Sequence, residues 1–165
     1  MMFSKGGDFI MENFMKRAVK LAIENVRDGG QPFGAVLVKN GEVLGDGGNE
    51  LHMKYDISGH AELLAVRRAQ EYLQTNDLSG TTMYASGFPC PMCFAAMHFA
   101  GVERVYYCAS LEEAKSVGLG KSAVIYEDLQ KEPEERVLPM VSMELEEEIE
   151  NPMILWGDFN KRNLS

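Results

Sequence analysis

The chain predicts an α/β fold, a three-layer α/β/α sandwich around a central mixed sheet of about five strands. Three observations predict it. Segments of helical period alternate with short β-rich runs along the whole chain. Asn40-Gly41 between two such runs marks a tight hairpin and therefore an antiparallel pair. Two short motifs, His60-Ala61-Glu62 and Pro89-Cys90-Pro91-Met92-Cys93, each stand where a helix is due to begin.

The elements follow in order. Phe9 to Val26 repeats apolar residues at helical spacing (Phe14, Ala18, Leu21, Ala22), and Asp28-Gly29-Gly30 ends that helix. Phe33 to Val38 reads as a buried strand, Asn40-Gly41 turns it, and Val43-Leu44 begins the return strand. Gly45 to Gly59 is expected to be a glycine-rich, then polar, loop. Ser58 is the expected cap of a helix that starts near His60 and runs through Leu63, Leu64, Val66 and Arg67. Met83-Tyr84-Ala85 is a short strand that feeds a helix opened by the cysteine pair, where Pro89 and Pro91 suit a first turn. Val102 to Cys108 is the next strand. Ser110 to Val117 and Ser122 to Leu129 read as short helices, Arg136 to Leu145 alternates as a late strand, and Met153 to Asn160 closes the chain as a helix.

Composition sets bounds. At 165 residues, 45% hydrophobic and 25% charged, the chain fits one globular domain over residues 1–165. Three cysteines do not make a disulfide framework, and a reducing cytoplasm is the expected setting. The stretch MMFSKGGDFIMENFMKR lacks an apolar core of signal-peptide length, and no run is long enough to span a membrane. A net charge of −9 weighs against nucleic acid as a partner, because phosphate binding needs a basic surface. The acidic run from Glu144 to Glu150 reads as a solvated segment.

The two motifs carry the chemistry. His60, Cys90 and Cys93 are three metal-ligand side chains, and Glu62 is a carboxylate left over. A structural zinc site is closed by four protein ligands, whereas a catalytic one uses three and keeps a fourth position for water. Two thiolates offset the charge of the dication, and this Cys₂His set points to Zn²⁺, one per subunit, over other divalent ions. Bound zinc lowers the pKa of water from about 15.7 towards about 7. Cys90 and Cys93, three apart, share one helical face, and a helix N-terminus favours thiolate. Alone, the cysteine pair also fits a redox couple or half of a structural site; the histidine motif in this order, about thirty residues upstream, favours catalytic zinc. The remaining Cys and His residues are not expected to be ligands: Cys108 reads as a buried free thiol, and His52 and His98 as surface or packing residues.

H-x-E followed by P-C-x-x-C is the signature of the zinc deaminases, and the sequence resembles the cytidine deaminase-like superfamily over nearly its whole length. Gln31-Pro32-Phe33-Gly34-Ala35-Val36 is similar to that family's first strand. Ile125-Tyr126, Pro133-Glu134-Glu135-Arg136, Pro139, Trp156 and Phe159 resemble the bacterial guanine deaminase branch. The resemblance implies hydrolytic deamination of a nucleobase or related aminated heterocycle, with release of ammonia and a place in purine metabolism. It implies His60, Cys90 and Cys93 as zinc ligands and Glu62 as the proton-transferring catalyst. It also implies the Ala61 N–H and Asn49 as substrate contacts, with Phe33 packing on the flat base. For Asn49 a turn role, and for Phe33 a plain core role, stay open at this point. A homodimer is implied, with residues about 150–165 forming a C-terminal helix exchanged between subunits; Met92, Phe94, Met97, His98 and Phe99 are interface candidates, against the commoner role of core packing.

Departures from the branch bear on the substrate. Gly120-Lys121 stands where the branch has acidic residues, and a lysine donates but cannot accept from guanine's N–H groups. Lys121 is therefore a candidate substrate contact, against the alternative of a solvent-facing lysine. The chain ends Asn163-Leu164-Ser165 where the branch tends to end in tyrosine, and Ser86-Gly87-Phe88 places an apolar side chain before the motif. Guanine leads as the substrate. A pterin, pyrimidine, triazine, oxidised purine or nucleoside competes, as does a tRNA adenosine deaminase reading. The non-enzyme alternative is a structural zinc domain, for which Glu62 has no use.

Overall fold

The computed structural model describes residues 5–144 and 149–163. Its elements run α1 (Lys5–Arg27), β1 (Gly34–Lys39), β2 (Glu42–Gly48), α2 (Ala61–Leu73), β3 (Thr82–Gly87), α3 (Pro91–Ala100), β4 (Arg104–Ala109), α4 (Leu111–Ser116) and α5 (Lys121–Asp128). A short 3₁₀ turn (Pro133–Glu135) and α6 (Pro152–Asn163) complete them. Two compact units emerge, Met1–Glu127 and Asp128–Ser165.

In the first unit the sheet order is β2-β1-β3-β4. β1 pairs antiparallel with β2 and with β3, and β3 pairs parallel with β4 around the α3 crossover. Asn40 and Gly41 both take positive φ, 51° and 81°, as the two central residues of a tight hairpin require. Side-chain alternation along β1 builds the two faces. Ala35 and Leu37 join Leu63, Val66, Met83, Cys93 and Met97 in one buried cluster beneath α2 and α3. Val36 and Val38 join Ala18 and Tyr84 beneath α1. The result is helix, mixed sheet, helix, as the alternating pattern predicts.

The glycines after Leu44 form strand and not loop. β2 runs through Gly48 because α2 lies almost in contact with its backbone: a Cβ on Gly45 would stand 2.3 Å from the Ala65 carbonyl oxygen. A glycine-rich strand admits the helix that carries the histidine motif at close range.

Three further expectations are corrected. The described sheet has four strands, since Arg136 to Glu144 is irregular and Leu145 lies outside the described residues. Its donors go to local turns: Val137 N–H to the Asp128 carboxylate and Met140 N–H to the Pro133 carbonyl, while Pro139 has none to offer. Alternation marks a face but supplies no neighbouring strand. Ser58 does not cap α2; its hydroxyl donates to Asp56 and accepts from Arg67, and His60 takes the cap position. Cys108 is exposed and not buried, because β4 is the last strand and that end of its α1 face opens into a groove of about 490 Å³ beside Met15, Val19 and Ile23. Of the acidic run, Glu144 and Glu150 are exposed, and residues 145–148 lie outside the described residues.

Gly45→Ala is expected to destabilise the protein by about 3 kcal/mol, the upper end for overpacking, because the obstacle is helix backbone and not a movable side chain. Denaturant unfolding checks this.

Candidate metal centre

Two helix beginnings converge on one point. His60 is the residue before α2 (φ −79°, ψ 148°) and Cys90 the residue before α3 (φ −69°, ψ 164°), both in extended backbone. Each side chain thus projects from a helix N-terminus, and the two helices pack against one another. The Cys90 sulfur accepts the Cys93 N–H at 3.4 Å, the role a serine or aspartate usually fills at a helix start. Cys93, one turn in, is fully buried.

His60 Nδ1 lies 3.4 Å from Cys90 Sγ and 3.5 Å from Cys93 Sγ. The three ligand atoms all fall within 4.8 Å of one another. Zn–S bonds of about 2.3 Å and Zn–N bonds of about 2.0–2.1 Å give a tetrahedral N···S edge of about 3.5 Å, so the spacing fits a zinc ion. Glu62 is 6% exposed and its Oε2 stands 3.5 Å from Cys93 Sγ, beside the ligand set and not in it.

Protonation explains why the cluster asks for a cation. Hydrogen bonds from Cys93 and then His60 lower the Cys90 thiol to about 4. The hydrogen bond to Cys90, reinforced by burial, pushes Cys93 strongly the other way, so the pair without metal keeps one proton. Contact with the Cys90 sulfur raises the His60 imidazole. Burial raises Glu62 above the usual carboxylate range. A bound dication lets both sulfurs ionise together.

The other residues singled out in the sequence fall around this centre or away from it. Ala61 is the first residue of α2, where the N–H has no intrahelical partner. Asn49 is 1% exposed; its Oδ1 accepts the Leu51 N–H at 3.0 Å and its Nδ2 donates to Gln31 Oε1 at 3.3 Å. Phe33 is half-buried, its ring laid over Gly87. Lys121 is exposed at the start of α5. His52, His98 and Cys108 are not in the cluster.

One neighbour escaped any spacing argument. Tyr126 on α5 donates its hydroxyl to the Pro89 carbonyl at 2.8 Å, and its ring meets Phe88 edge-on at 5.8 Å. Burial first, then the negative charge of Cys90, Cys93 and Glu62, pushes its phenol up to about 12. In the sequence it stands only within a stretch of family resemblance, because a strand and two helices separate it from the cysteines.

Residues 10–109 match the family model for the cytidine and deoxycytidylate deaminase zinc-binding region. Guanine deaminase of Bacillus subtilis (strain 168) is 39% identical over 153 residues, covering 92% of this chain and 97% of the relative. The crystal structure of guanine deaminase from Bacillus subtilis superposes with a TM-score of 0.83 at 38% identity, over 90% of this chain and 94% of that one. A tRNA-specific adenosine deaminase of Agrobacterium fabrum is 37% identical over 106 residues, 62% of this chain and 70% of the relative.

Wild type should bind one zinc per chain. His60→Ala, Cys90→Ser and Cys93→Ser should each fall well below that, and Glu62→Gln should match wild type; metal analysis of dialysed protein reads all four. Burial also gives a pH prediction for the metal-free protein. A carboxyl whose folded pKa is raised costs stability above that pKa, and the cost fades as pH falls towards its unfolded value near 4.3. Metal-free Glu62→Gln should therefore melt higher than wild type at neutral pH, and the two should converge as pH falls to about 4. Equal melting at pH 7 would contradict a carboxyl whose titration burial raises.

Proposed function

Because the chain belongs to the cytidine and deoxycytidylate deaminase zinc-binding family, we propose that this zinc-dependent deaminase acts on a free nucleobase, guanine first, or on a closely related aminated heterocycle. The chain is a hydrolase of the C–N bond between a ring carbon and its amine. The observation that carries the reading is the buried Glu62 carboxylate beside a three-ligand cluster, where a structural site has four ligands and no use for a loose acid. The guanine deaminase relative covers 92% of the chain and the tRNA-specific adenosine deaminase of Bacillus subtilis 83%, and the net charge of −9 disfavours a polyanionic substrate.

His60, Cys90 and Cys93 hold the zinc, which when bound supplies the Lewis acid that makes water a nucleophile near neutral pH. Glu62 takes a proton from the attacking water and delivers it to the ring nitrogen, then passes the second proton to the leaving amine. Ammonia departs and a carbonyl replaces the amine. Burial favours this role, since a carboxyl raised above its ordinary range holds a proton more readily and can still return it. The free Ala61 N–H donates to the substrate. Asn49 has one N–H and one lone pair left after Gln31 and Leu51 are served, so it presents a donor and an acceptor in a fixed orientation to the base edge. Phe33 stacks on the ring.

Lys121 replaces an acid of the guanine deaminase branch and is a donor only. It suits a carbonyl or anionic substituent, which keeps oxidised purines, pterins, pyrimidines and triazines as competitors. The exposed Met153, Ile154, Leu155, Trp156 and Phe159 of α6 suit a homodimer in which residues about 150–165 are exchanged. Thiolate ligands suit a cytoplasmic setting.

Ammonia release by zinc-loaded protein across guanine, adenine, cytosine, their nucleosides, isocytosine, ammeline, aminated pterins and oxidised purines is the test. Guanine should turn over, and Glu62→Ala should lower the rate at least about 10²-fold. Silence on guanine with turnover of another ring would move the assignment to that ring, and Lys121→Asp should then shift preference back towards guanine.

A further inference from the structure

We infer that Tyr126 is a positioning residue for the metal centre: its hydroxyl, donating to the Pro89 carbonyl, holds the peptide that carries Cys90.

The loop between β3 and α3 needs such a tether. Phe88 N–H makes the last bond towards β4, to the Ala109 carbonyl at 2.8 Å. Of the next three residues, Pro89 and Pro91 have no N–H, so the loop has little main-chain means of attachment. Regular bonding resumes where Cys93 N–H meets Cys90 Sγ and Phe94 N–H meets the Cys90 carbonyl at 2.9 Å. Cys90 sits between these points. The Tyr126 hydroxyl reaches the carbonyl immediately before it, at 2.8 Å. That carbonyl belongs to the Pro89–Cys90 peptide, whose plane sets the direction in which Cys90 leaves the backbone.

The rings reinforce the tether. Phe88 is held edge-on between Tyr107 at 4.9 Å and Tyr126 at 5.8 Å. Tyr126 thus grips the loop by its hydroxyl at Pro89 and by its ring at Phe88. Partners of this kind, one step outside the ligands, typically change metal affinity about 10–100-fold when removed. Tyr126 also belongs to the helix that begins at Lys121, so the same bond ties that helix to the cysteine loop.

The inference rests on zinc binding and not on which base is deaminated. The experiment is zinc affinity by chelator competition, with the visible spectrum of the cobalt-substituted protein as a second readout. Tyr126→Phe removes only the hydroxyl. It should weaken zinc binding about tenfold and change the cobalt–thiolate bands. Tyr107→Phe, which leaves Pro89 untouched, should behave as wild type. Affinity within about twofold of wild type and unchanged bands in Tyr126→Phe would overturn the inference. Were that variant not to fold, the wild-type Tyr126 hydroxyl proton decides by nuclear magnetic resonance: slow exchange with solvent supports the bond, fast exchange overturns it. A wild type that binds no zinc would sink the metal reading itself, a result distinct from both.

Discussion

Two sulfurs and a carboxylate do not ionise together in a dry pocket unless a cation joins them, and the centre of this protein is arranged around that constraint. Without metal, Cys90 ionises and Cys93 keeps its proton, while Glu62 is driven towards its neutral form by burial. With a dication the sulfurs are released from that conflict. Glu62 stands outside the ligand set, the position the proposed proton-transfer role needs. Charge balance would then separate the holding residues from the working one.

The scaffold meets the constraint by placing two helix starts face to face. α2 reaches its position because β2 is glycine-rich where the helix crosses it, so helix backbone and strand backbone nearly touch. α3 follows directly from β3 through a loop rich in proline, and its cap residue and first turn supply one sulfur each. The loop is stiff in φ but poor in main-chain donors, which is why a side chain from α5 has so much leverage over it. The helix N-termini favour negative groups, and the sulfurs and Glu62 occupy that favourable end.

The proposed recognition of substrate calls on a different set of residues. Asn49 is locked at both ends of its carboxamide, so its orientation is decided by Gln31 and Leu51 before any ligand arrives. A pre-oriented amide loses little freedom on binding. Lys121, by contrast, is an exposed side chain of high rotamer freedom at a helix start. In the proposed function the pre-oriented amide would meet what ring substrates share, and the exposed lysine what distinguishes them.

The layer order, the hairpin and the three side chains that gather as a candidate zinc site were legible along the chain, because these depend on local periodicity and on residue types with few other uses. The helix starts at His60 and Cys90 were legible for the same reason. Only the tertiary structure decided what depends on neighbours distant in the chain. Alternation in Arg136 to Glu144 announced a strand, yet the donors there serve local turns. Glycines after Leu44 announced a loop, yet they are the strand on which α2 rests. Ser58 had the chemistry of a cap, but Asp56 and Arg67 claim it. Cys108 had the company of a buried residue, but lies on an end strand. Tyr126 stood in a stretch of family resemblance, but no spacing tied it to the cysteines. In each case the deciding contact is a competition among partners brought together by folding, and a sequence read along one dimension does not contain the list of competitors.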